Sequence, residues 1–111
     1  SPAFTVVTGH REKGGSSNIA WEALAQVGGT IVVLMGVAER AQIAARLMTG
    51  GLPGSTPVAA IRFGTRAKQV TVRTTLDALA DAQIQAPSTI VIGAVAAFDF
   101  SPAAATDKAV L

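Results

Sequence analysis

The apolar positions of this 111-residue chain fall into short continuous runs separated by helical patterns. "FTVVT", "TIVVLM" and "VAAIR" predict strands over residues 4–8, 30–35 and 57–62, and "TIVIGAVA" predicts one over 89–96. Runs without alternation suit strands covered on both faces, hence a layered α/β sheet. Residues 69–74, "QVTVRT", alternate instead, with Val70 and Val72 on one side. That pattern predicts a strand with a wetter face, placed at an edge. Between the strands the period changes to that of a helix. Asn18 is placed to cap a short helix through Gln26, with Trp21 and Leu24 as its apolar contacts and Gly28-Gly29 as its stop. Ile43, Ala44 and Leu47 share one face of a helix over 38–49, which Gly50-Gly51 end. Thr75 is placed to cap a third helix, on which Leu76, Leu79, Ala80 and Ile84 form one face before Ala86-Pro87. Residues 9–18 form a polar, Gly/Ser-rich loop, and the tail 101–111 has no period and is expected to be a loose end.

Composition narrows this picture. Half the residues are apolar but only 5% are aromatic, so Val, Ile, Leu and Ala must fill the core. The length suits one domain that buries a core without staples. Cys is absent, which excludes disulfides and thiolate metal sites and makes a cytoplasmic setting the default expectation. Nine Lys/Arg against seven Asp/Glu give a net charge of +2, with no basic run, so nucleic acid is not an expected partner. The apolar runs are too short to cross a bilayer, and the opening segment does not read as a signal peptide. The opening Ser1-Pro2-Ala3 reads as a cut within a longer protein.

The strands share one gesture. They end at Gly9, at Met35-Gly36, at Gly64 and at Gly93, at near-equal intervals. Ligands of open α/β sheets collect outside the carboxyl ends of the strands. A planar ligand reaches backbone groups most closely where no Cβ intervenes. Ordinary turn glycines are the competing explanation. No G-x-G, Walker or G-x-S-x-G motif is present. His10, the sole histidine, reads as a loop hydrogen-bonder, and Glu12, Glu22, Glu39, Asp77 and Asp81 show no spacing for acid/base work. Arg62, Arg66 and Lys68 gather around Gly64 and read as a solvated rim, with an anionic ligand as the sharper alternative. On these grounds the chain is a binding half without catalytic equipment.

The pieces "VTGH", "WEALA", "GGTIVVLMGV", "IAARLMTGGLPGSTPVAAIRFGT", "TTLDALA" and "PSTIVIGAV" occur in an order that resembles the C-terminal half of the tetrapyrrole methylases. The resemblance covers residues 5–97 and is nearest to the members that methylate uroporphyrinogen III on the way to sirohaem and cobalamin. No single piece is specific; their order and spacing are.

The resemblance implies a five-stranded mixed sheet whose last two strands run against the others, with residues 1–100 as the second, cofactor-binding domain. It implies S-adenosylmethionine as cofactor, folded into the cleft between this half and an N-terminal half outside the chain. It implies a tetrapyrrole substrate and a homodimer. Met35-Gly36 match the strand-Met-Gly motif whose methionine contacts the cofactor, and Gly64-Thr65 match the "GT" motif whose glycine presents backbone to its adenosine part. Met suits such a contact because its thioether is flexible, polarizable and favourable against aromatic rings. No catalytic residue is carried over, since the family's acid/base candidates lie in the N-terminal half. The chain departs from the family pattern at Ala20, at Arg62-Phe63, at Thr74 and after residue 97. Another precorrin methyltransferase, or a non-catalytic binding or dimerisation domain, stands as the alternative.

Overall fold

A computed structural model describes residues 4–9, 19–63 and 69–97. Five strands form one sheet: β1 Phe4–Thr8, β2 Thr30–Leu34, β3 Pro57–Phe63, β4 Gln69–Thr75 and β5 Thr89–Ile92, in the order β1-β2-β5-β3-β4. β1 pairs parallel with β2, while β5 runs antiparallel to both β2 and β3, and β4 antiparallel to β3. The mixed sheet with two reversed strands is as expected, and the alternating strand β4 lies at an edge.

The two helices are α1 Trp21–Val27 and α2 Arg40–Thr49. They cover one sheet face, where Ile31, Val33, Val58, Ala60, Ile90 and Ile92 meet Trp21, Ile43, Ala44 and Leu47 in the main core. Full burial of a side chain such as Leu47 or Val33 contributes roughly 1.5–3 kcal/mol. The helix faces are therefore those the spacing predicts. A bidentate ion pair from Arg46 to Glu22 ties α2 to α1. Near it, a Cβ on Gly50 would stand 2.5 Å from the Glu22 carbonyl oxygen, so this close crossing requires glycine. Gly51, at φ 118°, ends α2, and the Leu52 N–H returns to the Leu47 carbonyl.

Four boundaries differ from the sequence reading. α1 runs from Trp21 to Val27, with Ala20 and not Asn18 at its N-cap position. α2 begins at Arg40, not Ala38, after a turn in which the Glu39 N–H bonds the Gly36 carbonyl. The third helix is a 3-10 segment, Leu76–Asp81, and Thr75 gives no side-chain cap to its backbone; its hydroxyl donates to the Asp77 carboxylate instead. Residues three apart eclipse in such a helix, so Leu76 and Leu79 are buried while Ala80 faces solvent. β5 stops at Ile92 because Gly93, at φ 134°, turns the chain into a second 3-10 segment, Ala94–Ala97. The expected cap Asn18, the loop residues His10 and Glu12 and the tail beyond residue 97 lie outside the described residues.

On the opposite sheet face a small cluster of Ala59, Ile61, Val91 and Ala96 covers β3 and β5. The β1–β2 part of that face keeps Phe4, Val6 and Leu34 exposed.

Candidate functional site

The strand directions decide which ends share an edge. β1, β2 and β3 point one way, so Gly9, Met35 and the end of β3 at Phe63 lie along one edge of the sheet. β5 enters that edge with its amino end, between β2 and β3. Thr89 pairs with Ile61 on β3, and Ile90 pairs with Val33 on β2. The ladder brings Met35 and the carboxyl end of β3 to either side of Pro87-Ser88. Gly93 does not belong to this set. It closes the antiparallel β5 at the opposite edge, where its N–H bonds the Pro57 carbonyl and an added Cβ would stand 3.1 Å from the Gly29 carbonyl oxygen.

Met35 has no place in the core. It is 65% exposed and holds φ at 57°, the left-handed region that a bulky side chain enters only at a cost. That backbone turn ends β2 and leaves the thioether at the rim of an open hollow of about 290 Å³. Leu34, Ile61, Pro87, Ser88 and Thr89 form the rest of its lining. The surface is largely apolar, and Ser88 is held from below by its hydroxyl's bond to the Gln85 carbonyl at 2.6 Å. Apolar walls with a few fixed polar groups suit a flat heteroaromatic ligand. The open side leaves room for a second surface.

Gly36 follows Met35 but is buried. A Cβ on it would stand 2.5 Å from Val33 Cγ1 and 3.3 Å from Ile43 Cδ1, so packing beneath α2 already requires glycine there. The same holds for Gly9. Gly64 and Thr65, together with Arg66 and Lys68, lie outside the described residues. Arg62 is exposed and donates to the Gln85 side chain at 3.0 Å, on the other face of the same edge. There a second hollow, of about 280 Å³, lies over Ala60, Val72 and Ile84.

Sequence reasoning did not bring Pro87, Ser88 and Thr89 to this edge. The signal was available: strand β5 is antiparallel, so its start, not its terminal glycine, reaches the edge at which Met35 stands. No group of three or more His, Cys, Asp or Glu fit to hold a metal occurs among the described residues. No helix among them is long and apolar enough to cross a membrane. Among the described residues the perturbed titrations are those of Glu22 and Arg46, which lie outside the hollow. Two hydrogen bonds from Arg46 hold the Glu22 carboxyl below its ordinary value, and the same contact raises Arg46.

Over 93 residues the chain is 46% identical to siroheme synthase 1 of Aeromonas hydrophila, covering 80% of this chain and 19% of that protein. It is 38% identical over 102 residues to uroporphyrinogen-III C-methyltransferase of Priestia megaterium, covering 88% of this chain and 43% of that one. The crystal structure of uroporphyrin-III C-methyl transferase from Thermus thermophilus, complexed with S-adenosyl homocysteine, superposes with a TM-score of 0.74 at 27% identity. That match covers 86% of this chain and 41% of the other. The chain thus spans less than half the length of each of these relatives. The family model of the tetrapyrrole (corrin/porphyrin) methylases matches residues 3–80, and the chain belongs to that family.

Proposed function

We propose that this chain is the C-terminal, cofactor-binding half of an S-adenosylmethionine-dependent C-methyltransferase that acts on uroporphyrinogen III. The observation that carries this reading is Met35, held exposed in a left-handed backbone turn beside an apolar hollow at the carboxyl edge of the sheet. The two relatives and the S-adenosyl homocysteine complex support the substrate class and the cofactor.

The residues present fit the adenosine end of such a cofactor. Met35 and Ile61 offer apolar contact to a flat ring, and Ser88 offers a polar group at its edge. Gly64 and Thr65, which follow Phe63 directly in the chain, are assigned to the same wall by the family motif. When bound, the cofactor supplies a sulfonium methyl group for transfer to a nucleophilic carbon. What this chain's residues do is narrower: they bind and orient one end of the cofactor and exclude water from one side. The second wall, and any group that moves a proton, are assigned to a preceding N-terminal domain. Residues 1–100 act as the domain and 101–111 as its tail. The whole protein works as a cytoplasmic homodimer, and its product feeds the sirohaem branch and the cobalamin branch.

The test is methyl transfer by the full-length protein from labelled S-adenosylmethionine to uroporphyrinogen III. Transfer of label to that macrocycle is the expected result. Label transferred only to a precorrin would move the enzyme to the cobalamin pathway alone. No binding of S-adenosylhomocysteine by the full-length protein would leave a non-catalytic domain.

A further inference from the structure

One guanidinium joins two segments of the chain. Arg40, the first residue of α2, donates from Nη1 to the Val37 carbonyl at 2.8 Å, from Nε to the Leu79 carbonyl at 3.2 Å and from Nη2 to the Ala82 carbonyl at 3.2 Å. The acceptors belong to two stretches that lie next in the chain to different parts of the hollow's lining. Val37 lies two residues after Met35, in the turn where the Glu39 N–H bonds Gly36 and the Arg40 N–H bonds Val37. Leu79 and Ala82 close the 3-10 segment, and from Ala82 the chain runs to Pro87-Ser88. The link between is short and braced: the Ile84 N–H returns to the Ala82 carbonyl, Ile84 is buried, and the Ser88 hydroxyl bonds the Gln85 carbonyl.

We infer that Arg40 is a positioning residue, whose guanidinium sets the Met35 turn and the Pro87-Ser88 wall at the separation the ligand requires. The inference rests on the reading of this edge as the adenosine wall. The planar guanidinium presents its donors at fixed angles, so a single side chain holds acceptors from different segments in one geometry. A lysine offers a point charge on a flexible stem and does not reproduce that geometry. Without the guanidinium each carbonyl keeps only a backbone partner within its own stretch, the Arg40, Ala82 and Ile84 N–H groups respectively, so the bonds that tie the two stretches to each other are lost and they would move independently.

The test uses the full-length protein with Arg40→Met, Arg40→Lys and Arg46→Met. The last breaks the Glu22 pair between α1 and α2 and touches nothing in the hollow. Two readouts are taken. Calorimetric titration with S-adenosylhomocysteine is expected to show Arg40→Met weaker by about tenfold and Arg46→Met within about twofold of the parent. Hydrogen exchange of the free protein is expected to show about tenfold faster exchange at the Glu39, Ala82 and Ile84 amides in Arg40→Met but not in Arg46→Met. Arg40→Lys is expected to fold and to show both defects, which keeps the test decisive should Arg40→Met not fold. Parent-like affinity and exchange in Arg40→Lys would overturn the inference. So would equal losses in Arg40→Met and Arg46→Met, which would mark general destabilisation. A parent protein that does not bind S-adenosylhomocysteine would sink the adenosine reading instead, and the exchange readout would still decide whether Arg40 locks the two segments together.

Discussion

A Cβ placed on Gly9 would stand 2.8 Å from the Cα of Gly36. The ends of β1 and β2 therefore touch backbone to backbone, and the Gly9 N–H bonds the Leu34 carbonyl at 2.7 Å beside the contact. Val33 Cγ1 and Ile43 Cδ1 close the same space from the core side. Two strand-end glycines thus exist for each other and for α2, and the Met35 turn between them is braced from behind.

Gly9→Ala and Gly36→Ala are accordingly expected to destabilise the 111-residue chain, by about 1–3 kcal/mol each, the usual effect of overpacking. Urea unfolding measures it. Gly36→Ala is the harsher of the two, since its nearest neighbour stands at 2.5 Å. Parent-like midpoints for both would mean that the strand ends part easily and that the brace is weak.

Met35 separates backbone strain from side-chain contact. Its left-handed φ costs a non-glycine residue roughly 1–2 kcal/mol. Met35→Gly removes that strain and loses an exposed side chain, while giving back part of the gain through a freer unfolded chain. The expected stability change is within about 1 kcal/mol of zero. Met35→Val places a β-branched residue in the same turn and is expected to destabilise by about 1–3 kcal/mol. In the full-length protein Met35→Gly is expected to weaken S-adenosylhomocysteine binding despite its parent-like stability. Unchanged affinity would remove the thioether from the site.

Much of the sheet was legible in the sequence because its strands differ in kind. The unbroken apolar runs of β2, β3 and β5 marked the covered centre, and the alternation of Val70 and Val72 marked the edge strand β4. The like run of β1 misled, since β1 lies at the other edge with Phe4 and Val6 exposed. Ile43, Ala44 and Leu47 marked the buried face of α2. What stayed hidden depended on direction or on a change of period. A terminal glycine looks the same on a parallel and an antiparallel strand, so Gly93 resembled Gly9 although the two end on opposite edges. Leu76 and Leu79 fit a 3.6-residue and a 3-residue period alike; the distinction rests on Ala80, whose small side chain carries little signal. Met35 was singled out by the family motif; Pro87-Ser88 and Arg40 were not, because their positions at this edge depend on pairings across many residues.

The Glu22–Arg46 pair gives a pH signature. The folded-state carboxyl lies below its ordinary value of 4.5, because Arg46 hydrogen-bonds its ionised form. Its contribution to stability is therefore fully present above that ordinary value and is lost as pH falls through the lower, folded one. The stability difference between the parent chain and Glu22→Gln is expected to be largest at neutral pH and to shrink in the acid range. Both side chains reach solvent, so the effect is small and weakens further with salt. Urea midpoints at neutral and acid pH, with and without added salt, measure it. A difference that grew on acidification would mean that the ionised carboxylate opposes folding.

The exposed apolar face of β1 and β2 gives the last expectation. Phe4 is 60% and Val6 62% exposed, and Leu34 and Met35 continue the surface toward the carboxyl end of β2. β1 also ends the sheet, so one side of its ladder faces outward. An apolar face beside an open strand edge favours association with another copy of the same chain. The 111-residue chain is expected to self-associate in sedimentation, in a concentration-dependent way, and Val6→Lys to shift it toward monomer. Lysine there puts a charge on the face while leaving the β1–β2 ladder intact, so stability should change little. Val27 is similarly exposed but lies at the end of α1, and Val27→Lys serves as the control that leaves association unchanged. A parent chain that sediments as a monomer at all concentrations would show that this face needs no cover. Equal loss of association in both variants would assign the effect to added charge, and not to the β1–β2 surface.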